Sequence, residues 1–139
     1  MKLQSVEKSV RLTINDDPER VISFNPNDAG FVERFFSMLD KVEAEEARVN
    51  SVLEGYANDG TVDNYGIPLP LRKAAALTAD LCRFMRGQID EAFGEGTSQT
   101  AFGDVNVPEM FSEFFLGVTP YIREARSAAL SKYLGEAKA

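Results

Sequence analysis

Phe93-Gly94-Glu95-Gly96-Thr97-Ser98-Gln99-Thr100-Ala101-Phe102-Gly103 decides how the second half of this chain folds. Two Phe-Gly pairs flank a Gly-Glu-Gly-Thr turn and interrupt an otherwise helical pattern. Gly94 stands where a helix-ending glycine belongs, and Thr97 or Ser98 can cap a single helical turn that ends before Gly103. The two phenylalanines can then pack beneath the turn. The stretch also has a superficial likeness to a phosphate-cradling glycine loop. It lacks the P-loop lysine, follows no strand, and puts Glu95 where an anion would be repelled. It reads as a packed corner between helices.

Upstream of the corner, Leu71, Ala74, Ala75, Thr78, Leu81, Cys82, Met85, Ile89, Ala92 and Phe93 form one apolar stripe at helical spacing, with Pro70 tolerated in the first turn. Cys82, the single cysteine, therefore reads as a small buried hydrophobe. Arg72, Arg83 and Arg86 lie on a polar flank; an acidic-partner or phosphate contact is one reading, and in a chain this acidic the balancing of nearby carboxylates is the preferred one. Downstream, Asp104 or Asn106 can cap a last helix, with Pro108 in its first turn. Its apolar face is Val107, Phe111, Phe114, Phe115, Val118, Tyr121, Ile122, Ala125, Ala129 and Tyr133. Pro120 interrupts that pattern and predicts a bend or short break near Leu116-Gly117. Little in the residues from Gly135 to Ala139 predicts order.

In the first half, Val10, Leu12 and Ile14 alternate with Arg11 and Thr13, the period of a strand with one buried face. After a turn-rich interval over Asn15–Glu19, Arg20–Phe24 offers a second strand, and the two predict an antiparallel hairpin. Asn27 or Asp28 caps a long helix whose stripe is Phe31, Phe35, Met38, Leu39, Val42, Val49, Val52 and Leu53. Gly55 to Pro70 is too rich in breakers for regular structure and reads as a flexible or partner-ordered loop. Its Asn58, Asp59, Asp63 and Asn64 do not follow the order of an EF-hand loop. The predicted fold is α+β, mainly α: an N-terminal β-hairpin packed on three principal helices, with a short helical turn near 97–102. One domain spans 1–139, divided into hairpin 8–25, helix 28–54, loop 55–70, helix 70–93, corner 94–106 and helix 107–134.

The composition narrows the function classes. Twenty-two acidic residues against 15 basic ones leave a net charge of −7, which opposes nucleic-acid binding. Histidine is absent, removing the commonest general base and metal ligand together with every Ser/Cys-His relay. No apolar run approaches a membrane span, and the first residues do not resemble a signal peptide, so no membrane partner and a cytosolic location are expected. No catalytic, cofactor-binding or metal-binding residue is predicted. A small enzyme working by carboxylates alone would have Glu45 and Glu46 as its one candidate dyad.

The hairpin, the helix entry Asn25-Pro26-Asn27-Asp28-Ala29-Gly30-Phe31-Val32-Glu33-Arg34-Phe35, and above all Phe93-Gly94-Glu95-Gly96-Thr97 with Phe102-Gly103 resemble a family of small phage and prophage proteins. Members of that family look like tail assembly chaperones of long-tailed phages infecting Gram-positive bacteria. The match is clearest from the helix before Phe93 through Gly103, looser over the hairpin and helix entry, and missing from the loop. The resemblance implies a non-enzymatic protein in the cytoplasm of the bacterial host, binding the tape-measure protein or another tail protein, with no catalytic residues to carry over. Phe36, Leu77, Phe84, Leu116 and Leu130 lie off the core stripes and are the predicted partner-binding residues. A structural virion component, a neck or tail-completion subunit forming a homo-oligomer, is the alternative.

Overall fold

A computed structural model describes residues 9–138, the side chains of 136–138 excepted. Residue 8, the predicted start of the hairpin, and Ala139 lie outside the described residues. Two antiparallel strands, β1 (Val10–Ile14) and β2 (Asp17–Phe24), are followed by α1 (Ala29–Glu54), α2 (Leu69–Phe93), α3 (Thr97–Phe102) and α4 (Pro108–Lys138). The architecture is α+β, mainly α.

In the hairpin, Val10 pairs with Phe24 and Leu12 with Ile22, so these four apolar residues share a face, while Arg11, Thr13 and Ser23 stay exposed and Val21, paired with Thr13, lies on the other face. Asn15 and Asp16 both have positive φ, 52° and 60°, which gives a two-residue turn the twist that paired strands require. β2 consequently begins at Asp17, earlier than the expected Arg20. Pro18 does not delay it, because both strands of a two-stranded sheet are edges, where a missing amide is tolerated. At the head of α1 the cap is Asp28, whose carboxylate accepts the Gly30 amide at 3.0 Å.

The corner after α2 is built differently from its expected caps. Gly96, with φ 89°, occupies the N-cap position of α3, and neither Thr97 nor Ser98 caps it. The carboxylate of Asp90, still on α2, instead accepts the Ser98 amide at 2.8 Å and the Ser98 hydroxyl at 3.1 Å. At the other end of α3, Arg20 of β2 donates to the carbonyls of Thr100 (3.0 Å) and Ala101. These are carbonyls that a helix terminus leaves unpaired. One side chain from each neighbour thus pins the two ends of a six-residue helix.

Beneath this corner the aromatic rings meet. Phe93 lies 5.7 Å from Phe24, 5.2 Å from Phe31, 6.1 Å from Phe35 and 5.2 Å from Phe114, joining the hairpin, α1, α2 and α4. Phe102 adds α3 through Phe111 (4.5 Å) and Phe114 (5.5 Å). Most of these pairs are edge-on or tilted, the arrangements that ring quadrupoles favour. Met38, Met85, Ile89, Val118 and Ile122 extend the same core.

α4 departs from expectation in two ways. It runs from Pro108 to Lys138 without the short break that was one of the two outcomes expected at Pro120, and it passes the predicted end at 134. Pro120 withholds a donor from the carbonyl of Leu116, an exposed residue. The Thr119 hydroxyl meanwhile bonds the Phe115 carbonyl at 2.6 Å. Asp104 and Asn106, the expected caps, accept from Gln99 and Arg86 instead. Val52, Leu71, Val107, Tyr121 and Tyr133, all placed on apolar stripes, are exposed; four of them lie at or near the ends of their helices, whereas Tyr121 lies edge-on to Phe24 (6.2 Å) and remains partly open.

Phe93→Ala should cost about 3 kcal/mol of unfolding free energy, as expected for removing a ring that touches four others. Phe36→Ala, on the solvent side of α1, should stay within about 0.5 kcal/mol. Urea titration of the two variants checks the contrast, and equal losses would contradict the assignment of the core.

Candidate functional site

Of the ten phenylalanines, all among the described residues, Phe36 alone is exposed, at 51%. It follows the fully buried Phe35, and one residue's rotation on a helix carries it out of the core. α4 passes α1 in the opposite direction: Pro108 and Ser112 share a cleft with Glu46 and Asn50, whereas Thr119 to Leu130 lie along Phe35 and Phe36. Between these two helices opens a cleft of about 380 Å³. Its walls are Phe35, Phe36, Thr119, Ile122 and Leu130, completed by Arg123, Arg126 and Ser127, and they are almost wholly apolar. The arginine stems contribute carbon surface while their guanidinium groups can remain hydrated.

Two of the five predicted partner-binding residues, Phe36 and Leu130, therefore meet across one cleft. Leu116 is 72% exposed but lies outside it. Leu77 is half-buried, and Phe84 is half-buried against the core, which leaves neither as open as its place on the helical wheel suggested. Leu130 also begins an exposed run through Gly135 that includes Tyr133 and Leu134. Arg123 and Arg126 were not singled out in the sequence. The available signal was a pair of cations three residues apart, beside Ile122 and Leu130, in an acidic chain.

The other chemically suggestive residues have local partners. The Glu45 carboxylate accepts two bonds from Arg48, at 2.6 and 3.0 Å, and that hydrogen bonding holds its pKa below the usual value. A general acid near neutral pH needs the opposite shift. Cys82 is fully buried, and burial pushes its thiol pKa up, away from thiolate reactivity. Arg72 pairs with Asp63 and Arg83 with Asp80. Arg86, by contrast, donates to Asn106 (2.6 Å) and the Val105 carbonyl (2.5 Å) and lies over the rings of Phe102 and Phe111. Among the described residues, no group of three His, Cys, Asp or Glu side chains is placed to hold a metal, and no helix is long and apolar enough to cross a membrane.

The loop between α1 and α2 folds around Asp63. One carboxylate oxygen accepts the amides of Tyr65 (2.8 Å) and Ile67 (3.0 Å), the other takes Arg72, and the Asp63 amide donates to the Ile67 carbonyl at 3.0 Å. A bridge between Val62 and Pro68 closes the base. The expected flexible or partner-ordered loop is thus ordered by its own hydrogen bonds. Tyr65 remains exposed, while Tyr56 is half-buried beneath Lys73.

The bond from the Ile67 amide, with those from Tyr65 and Arg72, holds the Asp63 carboxyl below the usual range. A folded pKa below the unfolded value of about 3.9 means that the contribution is complete above that pH and disappears as pH falls through the lowered value. The Tyr65 and Ile67 amide resonances should therefore titrate with a midpoint below about 3.9, and a midpoint at or above it would exclude this role. Comparison with protein-family models, curated proteins and solved structures finds no match to this chain.

Proposed function

We propose that the chain is a non-enzymatic tail assembly chaperone that binds the tape-measure protein during tail morphogenesis, taking one face of a client helix into the cleft between α1 and α4. The observation that supports this reading is the convergence of Phe36 and Leu130 on one open apolar cleft. A helix-in-groove contact needs an open apolar groove and no reactive group. The resemblance of the Phe93–Gly103 corner to the phage family supplies the biological setting. The net charge of −7 suits a protein that must hold an apolar client without self-association.

A second reading, a neck or tail-completion subunit forming a homo-oligomer, draws on the exposed run from Leu130 to Gly135, against which another copy could pack. Mass spectrometry of purified virions separates the two, since a chaperone leaves the finished particle and a structural subunit remains.

Co-expression with the tape-measure protein should recover it in the soluble fraction bound to this chain. Phe36→Asp and Leu130→Asp should each abolish that recovery while shifting unfolding free energy by no more than about 0.5 kcal/mol, because both side chains are already exposed. Undiminished recovery with both substitutions would remove the cleft from the proposal.

A further inference from the structure

We infer that the α1–α4 cleft selects its occupant by charge, taking an amphipathic helix that carries carboxylates alongside its apolar stripe. The inference rests on the client-binding reading and adds the chemistry of the client. Arg123 and Arg126 both line the cleft and stand three residues apart on α4, so they project from one side of that helix about 4.5 Å apart along its axis. Among the described residues, the ion pairs engage Arg48, Arg72 and Arg83, and Arg20 and Arg86 are held by carbonyl or amide oxygens. No carboxylate lies within salt-bridge distance of Arg123 or Arg126 among those residues.

Two cations beside an apolar cleft are conspicuous in a chain with seven more acidic charges than basic ones. The long-range field of such a chain repels an acidic partner, but at physiological salt it is screened beyond about 8 Å. At contact, two guanidinium forks set the preference. Each presents paired donors that fit a carboxylate. Carboxylates spaced three or four residues apart on an incoming helix match the spacing of the two arginines while its apolar stripe meets Phe36, Ile122 and Leu130. No carboxylate lines this cleft among the described residues, and Glu33, the acidic residue one turn before Phe36, lines a separate cleft against α2.

The test uses two synthetic amphipathic peptides with the same leucine stripe, one flanked by glutamates and the other by lysines, titrated by fluorescence anisotropy against the full chain. The glutamate peptide should bind about tenfold more tightly at low salt, with the margin shrinking as salt is added. The Arg123→Glu, Arg126→Glu double variant, with an unchanged melting curve, should reverse the order. Phe36→Ala, which removes apolar surface without adding charge, should weaken both peptides alike. Equal binding of the two peptides, or a preference that survives charge reversal, overturns the charge inference while leaving the cleft reading intact. Failure of both peptides to bind, or undiminished binding by Phe36→Ala, overturns the cleft reading itself.

Discussion

The clustering of aromatic rings about Phe93 is the constraint on which the other arrangements depend. A two-stranded hairpin is marginal in water, and a six-residue helix has no stability of its own. Both persist because Phe24 and Phe102 deliver them to rings supplied by α1, α2 and α4. The polar contacts at the corner act after that burial: Asp90 and Arg20 satisfy amides and carbonyls that packing would otherwise leave without partners. Burial holds the elements together, and hydrogen bonding fixes their orientation.

Much of this was legible in the residues. The 3.6-residue stripes located α1, α2 and α4, and the alternation of Val10, Leu12 and Ile14 located β1, because each pattern repeats often enough to specify one periodicity. Part of what escaped had a non-local cause. Asp90 caps Ser98 across the very turn that separates them, and Arg20 reaches a helix eighty residues later, so neither pairing is written in a local motif. A bend or short break at Pro120 is the expectation from the proline alone. The helix continues unbroken, and Leu116, whose carbonyl loses its donor, is an exposed residue. The loop looked flexible by composition, yet a single well-placed carboxylate at Asp63 collects its amides.

The candidate site was legible only in part. Phe36 and Leu130 fell off their stripes for the same reason that they are exposed, but their meeting depends on how α4 crosses α1, which periodicity does not encode. Phe84 fell off its stripe too, and a neighbouring part of the core reaches it. A helical wheel reports direction from one axis; coverage depends on what else arrives there.

One consequence concerns the end of α4 beyond Leu130, where every described side chain is exposed. Those turns are held by their own backbone bonds and share little of the cooperativity that binds Phe111 to Ile122 into the core. Their local opening costs about what fraying of an isolated helix costs, far less than global unfolding. A surface of this kind carries a small reorganisation barrier. The end of the cleft at Leu130 is therefore the more easily reshaped, and the end at Phe35, buried in the core, the less.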